Sequence, residues 1–86
     1  MKIAFFDEAV FQTFYEWTIT DKKTAKKIAE LIKDIERNPV TGIGKPEALK
    51  GNLAGHYSRR ITEEHRLVYK IENDFIVITS CKGHYK

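Results

Sequence analysis

The seven residues Phe75-Ile76-Val77-Ile78-Thr79-Ser80-Cys81 are the most apolar segment in the C-terminal third of the chain. A near-continuous apolar run of this length predicts a central strand that is covered on both faces. Two further strand-like segments precede it, at residues 57–62 and 65–71, and only short turns separate the three segments. Such turns join antiparallel neighbours, so this third of the chain is predicted to be a three-stranded antiparallel meander.

The first half of the chain predicts one more strand and two helices. Residues 2–6 are short and apolar and predict a strand, after which Asp7 is placed to cap a helix whose apolar stripe includes Trp17. A second helix is predicted from about residue 21 to residue 37, where Asn38-Pro39 ends it. The order β-α-α-β-β-β predicts a small two-layer α+β domain in which both helices pack on one face of the sheet.

A long loop separates the helices from the meander. Residues 41–55 contain four glycines and one proline, and they predict a loop with at most one helical turn. Loops of this length in compact domains are often functional. The Gly44-Lys45 pair lacks the spacing of a phosphate-binding P-loop, so that motif is excluded.

The chain of 86 residues predicts a single domain over residues 1–86. Its formal net charge is +3, and residues 45–86 carry the whole excess, with eight Lys/Arg against five Asp/Glu. A basic half suggests a polyanionic partner such as nucleic acid, although a merely basic surface explains so small an excess equally well.

The composition also predicts where the protein works. No apolar run approaches the roughly 20 residues of a membrane helix, so no membrane association is expected. The single cysteine, Cys81, allows no internal disulfide, which fits a reducing cytoplasmic location.

Side chains capable of chemistry are concentrated in the loop and the meander. Some have simpler explanations: Arg59 and Arg60 can be exposed charges that protect a strand edge, and His65, beside two glutamates, is expected at the surface. Cys81 and His84 have a C-x-x-H spacing, but a structural zinc site needs two more ligands from separate strands, so no metal and no cofactor are predicted. The whole set is Lys45, Glu47, Lys50, Arg59, Arg60, His65, Arg66, His84 and Tyr85.

The chemistry that these residues could perform is metal-free cleavage of RNA. The sequence lacks the close pair of aspartates that holds two magnesium ions in many nucleases, and RNA carries its own nucleophile, the 2′-hydroxyl. Cleavage then needs a base, a cation for the phosphate and an acid, roles that suit Glu47, Arg66 and His84. Residue types alone do not establish this triad.

Three segments carry a resemblance to a known family. They are KPEALK at 45–50, SRRITEEHRLVY at 58–69 and CKGHY at 81–85. They resemble the YoeB/Txe toxins of bacterial toxin–antitoxin pairs, within the RelE-like superfamily, and the similarity extends over nearly the whole chain. The resemblance implies a RelE-like fold and an endoribonuclease that cuts mRNA in the A site of the bacterial ribosome. It also implies a cognate antitoxin of the YefM/Axe kind and a possible homodimer.

The resemblance assigns roles to individual residues. It implies that Glu47 is the general base, that Arg66 stabilises the phosphate and that His84 is the general acid. The predicted RNA-binding residues, from charge and resemblance together, are Lys45, Lys50, Arg59, Arg60 and Tyr85.

The sequence differs from the family pattern at two positions, and two alternative functions stay open. Lys86 extends past the usual His-Tyr ending, and the flexible Gly83 could loosen the placement of His84. RelE-like folds also include toxins that bind gyrase without hydrolysis, but those lack the Glu/Arg/His set. A catalytically inactive RNA-binding module is the other alternative.

Overall fold

The computed structural model describes residues 1–84. Two helices and a five-stranded sheet make up this part of the chain. The elements are β1 (Lys2–Phe5), α1 (Glu8–Thr20), α2 (Lys22–Arg37), β2 (Glu47–Ala48), a 3₁₀ turn (Gly51–Leu53), β3 (His56–Arg60), β4 (Arg66–Glu72) and β5 (Phe75–Ser80).

The sheet has the strand order β1-β5-β4-β3-β2. The predicted meander is confirmed, because β3, β4 and β5 pair in antiparallel fashion. β1 pairs in parallel with β5, with Lys2 opposite Phe75, so the sheet as a whole is mixed. The two-residue strand β2 was not predicted, since two residues inside a glycine-rich loop carry no periodicity.

The core lies between the sheet and the helices. Both helices pack on the same face, as predicted, and α2 makes the larger contribution to the buried cluster. The fully buried members from α2, β4 and β5 are Ile28, Leu31, Ile35, Leu67, Tyr69, Ile76 and Ile78. α1 adds partly buried side chains at the margin, among them Phe14 and Trp17. One expectation fails: β5 is internal, but it is buried mainly on the helix side, and Phe75 is exposed.

The helix starts are set by aspartates. The side chain of Asp7 accepts a hydrogen bond from the Val10 amide at 3.0 Å, which confirms the predicted cap of α1. Asp21 does the same for the Thr24 amide at 3.2 Å and is therefore the cap of α2. Each such cap stabilises a helix by about 1 kcal/mol. Within residues 1–84, neither helix combines the length and the apolar character needed to cross a membrane.

Candidate active site

An open cavity of about 470 Å³ lies where β2, β3 and β4 meet the C-terminal tail, defined as residues 81–84. It brings together the three predicted catalytic side chains, Glu47, Arg66 and His84. Of the predicted RNA-binding residues, Lys45 and Arg60 also line this cavity. Pro46 and Ser58 complete the lining.

Glu47 is presented by the short strand β2. Its register places Glu47 opposite Ser58 of β3. Backbone bonds flank it on both sides, because the Arg60 amide donates to the Gly44 carbonyl at 2.7 Å and the Leu49 amide donates to the His56 carbonyl at 2.9 Å. The position of this carboxylate is therefore set by backbone pairing with β3.

The chain enters β2 through two residues with left-handed backbone, Gly44 (φ +81°) and Lys45 (φ +52°). Glycine is required at the first position, since a Cβ there would come within 2.7 Å of Leu31 Cδ2. At Lys45 the same conformation costs roughly 1–2 kcal/mol relative to an ordinary helical backbone. Strain of this kind is typical of functional sites, and here it aims a lysine at the cavity.

Arg59 does not face the cavity, so the prediction that it binds RNA is wrong. Its side chain is completely buried, and the adjacent Arg60 is exposed, because successive residues on a strand point to opposite faces. Arg59 donates hydrogen bonds inward to the Asp34 carboxylate, to the carbonyls of Asn38, Thr41 and Ile43, and to the Tyr69 hydroxyl.

The ion pair between the buried Arg59 and the partly exposed Asp34 holds the segment 38–46, called the anchored loop below. The Arg59–Asp34 distance is 2.5 Å, and the Asp34 carboxylate also accepts from the Ile43 amide at 3.0 Å. The hydrogen bond from Arg59, followed by that from Ile43, lowers the pKa of the Asp34 carboxyl below its ordinary value. Arg59 thus fixes the loop that leads to Glu47 without touching the cavity.

Arg66 begins β4 and lies opposite Arg60 on β3. Its Nη1 donates to three carbonyls of the β3–β4 turn, those of Thr62 (2.6 Å), Glu63 (3.1 Å) and His65 (3.1 Å). These bonds fix the guanidinium through a single nitrogen. Together with Lys45 and Arg60, Arg66 surrounds Glu47 with positive charge, an arrangement that favours a phosphate in the cavity.

His84 reaches the cavity from the tail. Its Nε2 lies 2.8 Å from the Glu63 carbonyl. A carbonyl can only accept a hydrogen bond, so in this arrangement Nε2 carries the proton and donates it. A protonated ring nitrogen at the cavity rim is what a general acid requires.

The tail itself is held by residues whose roles the sequence did not reveal. Trp17 Nε1 donates to the Cys81 carbonyl at 3.0 Å, and the Arg66 amide donates to the Gly83 carbonyl at 3.0 Å. The Gly83 amide donates to His65 Nδ1 at 2.9 Å. His65 is half-buried, so the expectation that it is a simple surface residue is wrong. No local pattern links positions so distant in the chain.

One predicted RNA-binding residue lies elsewhere, and two residues with predictions fall outside the described range. Lys50 is exposed, precedes the 3₁₀ turn and is not part of the cavity lining. The prediction for Tyr85 concerns a residue outside the described range, as does the expectation for Lys86.

The C-x-x-H pair does not form a ligand set. Cys81 is buried, and its burial raises the pKa of the thiol to about 11, which disfavours the thiolate that would bind a metal. Among residues 1–84, no three His, Cys, Asp or Glu side chains stand close enough together to hold a metal ion.

The chain is similar over nearly its whole length to proteins of one known family. The family described as "YoeB-like toxin of bacterial type II toxin-antitoxin system" matches residues 6–85. This chain belongs to the YoeB family. Toxin YoeB of Escherichia coli K12 is 52% identical over 85 residues, which is 99% of this chain and 100% of that protein.

Two solved structures show the same fold in relatives. One is a heterotetrameric complex of YoeB and YefM, toxin and antitoxin, from Staphylococcus aureus, with 51% identity, a TM-score of 0.89, and coverage of 99% of this chain and 98% of that one. The other is a YoeB dimer from the same organism, with 51% identity, a TM-score of 0.90 and the same coverage. The RelE-like α+β architecture and the assignment as a toxin of a toxin–antitoxin system therefore stand.

Proposed function

We propose that this toxin is a metal-independent endoribonuclease that cuts mRNA in the A site of the bacterial ribosome and thereby inhibits translation. The observation that supports the proposal is the single cavity that brings Glu47, Arg66 and His84 together. These side chains supply the base, the phosphate-binding cation and the acid that cleavage by the 2′-hydroxyl needs.

In the proposed reaction, Glu47 takes the proton of the 2′-hydroxyl, and the 2′-oxygen attacks the neighbouring phosphorus. The two guanidinium nitrogens of Arg66 other than Nη1 bind the phosphate oxygens as negative charge develops on them. His84 gives its Nε2 proton to the departing 5′-oxygen. The products are a 2′,3′-cyclic phosphate and a 5′-hydroxyl; Glu47 has gained one proton and His84 has lost one, and proton transfer through water restores both groups.

The ribosome has a physical role in this scheme. The His84 proton is already donated to the Glu63 carbonyl, so a substrate must replace that bond before the acid can act. Correct positioning of reactants can be worth roughly 7–11 kcal/mol, and an mRNA held in the decoding site is positioned in advance. We therefore expect weak or no cleavage of naked RNA, and a cytoplasmic site of action where translating ribosomes are found.

The proposed partners follow from the relatives. The S. aureus relative forms a complex with YefM and also a dimer. We propose that a YefM/Axe-like antitoxin neutralises this chain, and that the chain can form a homodimer.

The test is a cleavage map. The purified protein is mixed with bacterial ribosomes programmed with a defined mRNA, and the same mRNA is incubated naked in parallel. We expect cuts within the A-site codon on ribosomes only, with 5′-hydroxyl ends. His84→Gln and Arg66→Ala should lower the rate by about 100- to 10,000-fold, the usual contribution of such groups. Arg37→Ala, at the exposed end of α2, is the matched control and should cut normally.

Two results would overturn the proposal. Equal cutting of naked and ribosome-bound mRNA would remove the ribosome from the mechanism. Full toxicity of His84→Gln without cleavage would replace hydrolysis by a binding mechanism, and gyrase inhibition and RNA binding would then be measured.

A further inference from the structure

The residue next to the proposed acid is held through both of its backbone groups. The Gly83 carbonyl accepts from the Arg66 amide at 3.0 Å, and the Gly83 amide donates to His65 Nδ1 at 2.9 Å. Gly83 has a φ of +81°, and no atom of residues 1–84 lies within 4 Å of the position that a Cβ would occupy. The glycine is thus needed for its backbone conformation, and the two hydrogen bonds restrict a residue type whose backbone can adopt many conformations.

We propose that His65 is a positioning residue: through Nδ1 it fixes the Gly83 amide, and so keeps His84 directed at the cavity. The consequence for catalysis rests on the proposed function, whereas the contact with Gly83 does not. The His65 ring lines no part of the cavity wall, so the side chain acts on the reaction through the tail, whereas the His65 carbonyl that accepts from Arg66 Nη1 is present in every variant at this position.

The chemistry of the contact requires one form of the imidazole. An amide N–H can donate to Nδ1 only when that nitrogen has no proton, so the ring is neutral and its proton is on Nε2. The ring orientation is supported by Trp17, whose indole stands edge-on to His65 with centroids 5.0 Å apart. The same indole holds the Cys81 carbonyl, two residues before Gly83. His65 and Trp17 therefore form one support behind the tail.

The surroundings of the Gly83 amide make His65 Nδ1 important as its acceptor. The contact is partly buried, and an amide that is shielded from water without an acceptor destabilises the arrangement that shields it. Without Nδ1, there are two possible outcomes. In the first, the tail stays in place and the Gly83 amide has no acceptor; in the second, the tail moves until this amide reaches water. The second result displaces the neighbouring His84 from its place at the rim, and the first weakens the attachment that keeps it there.

Two variants separate the acceptor from the ring. His65→Phe keeps an aromatic ring against Trp17 and removes the acceptor. His65→Asn loses the ring but places an amide oxygen close to the position of Nδ1. Equal thermal unfolding midpoints within a few degrees, measured by circular dichroism, show that both variants fold.

The first readout is independent of RNA cleavage. In the wild-type protein, long-range ¹H–¹⁵N spectra should show His65 with an unprotonated Nδ1, and the Gly83 amide should be protected from hydrogen exchange. We expect His65→Phe to lose this protection and His65→Asn to restore most of it. Protection of Gly83 that is unchanged in His65→Phe would overturn the proposal, as would equal loss in both variants.

The second readout is kinetic and uses programmed ribosomes. A misplaced acid should lower kcat with little change in KM, and displacements of about 1 Å can cost on the order of 100-fold. We expect a loss of 10- to 100-fold for His65→Phe, in line with that estimate, and substantial recovery for His65→Asn. A change confined to KM would contradict a positioning role. If the wild-type protein does not cut RNA at all, the proposed function fails, and the Gly83 and ¹⁵N data still decide the role of His65.

Discussion

The two sides of the cavity are fixed by different means. On the side of Glu47, the anchored loop 38–46 is tied to a completely buried arginine, Arg59, which donates to three loop carbonyls and to Asp34. On the side of His84, the tail is tied by backbone groups, one indole and one imidazole, all partly accessible.

This difference indicates how each side responds to a perturbation. Replacing the completely buried Arg59 removes the donor of three loop carbonyls at once, so the loop should hold or fail together with the fold. The bonds of the tail are individually worth about 1 kcal/mol, and they can open while the core stays intact. Glu47, the proposed base, is therefore expected to be held rigidly, and His84, the proposed acid, to be adjustable.

Replacement of Arg59 should have the largest effect on stability. We expect Arg59→Met to lower the free energy of unfolding by about 3 kcal/mol, because it leaves three partly buried loop carbonyls without their donor at once, and one such group without a partner costs about 1–3 kcal/mol. Urea unfolding monitored by circular dichroism measures the loss.

The adjacent arginine is the matched control for that experiment. Arg60→Met removes an exposed cation from the cavity and should change stability by less than about 0.5 kcal/mol, while lowering the cleavage rate. If the two variants lose equal stability, Arg59 is not the anchor of the loop.

A methyl group in the anchored loop should have the next largest effect. A Cβ on Gly42 (φ +111°) would lie 2.0 Å from Asp34 Oδ2 and 3.2 Å from Arg59 Nη1, so Gly42→Ala must displace the ion pair. Gly55 also has a positive φ (+90°), but nothing lies within 4 Å of its Cβ position. We expect Gly42→Ala to lower the free energy of unfolding, measured with urea, by about 1–3 kcal/mol more than Gly55→Ala does. Both variants place an alanine at a positive φ, so the difference between them reports the steric clash with Asp34. Equal losses would mean that the loop adapts freely around Asp34.

The anchored loop also marks what could be predicted from sequence and what could not. The apolar run 75–81 and the short turns before it sufficed for the meander, because period and turn length are local properties. Alternation along β3 could have placed Arg59 correctly, since it shares a face with Tyr57 and with Ile61, both of which pack in the core. The parallel pairing of β1 with β5 joins the two ends of the chain and leaves no local signal.

The candidate site was predictable only in part. The residue types of Glu47, Arg66 and His84 suggested their chemistry, but their meeting in one cavity depends on strand register, which the sequence does not encode in any short window. The support behind the tail was missed for the same reason. Trp17 matched a helical stripe, and His65 was expected at the surface at the start of a strand, so neither pattern indicated a contact with residues 81–83.

The smallest expected effect belongs to Trp17, and it tests the comparison most directly. Trp17→Phe removes the donor to the Cys81 carbonyl and should cost about 1 kcal/mol for that bond, with a further loss from the smaller ring. Two amides report on the two sides: Ile43, which donates to Asp34, and Gly83, which donates to His65. We expect hydrogen exchange to accelerate at Gly83 and to stay unchanged at Ile43. Phe14→Leu, on the same helix, is the control, because it loosens packing against Phe5 without touching the tail. Equal acceleration at both amides in Trp17→Phe would show that the loop and the tail open as one unit, and the distinction between a rigid base and an adjustable acid would then fail.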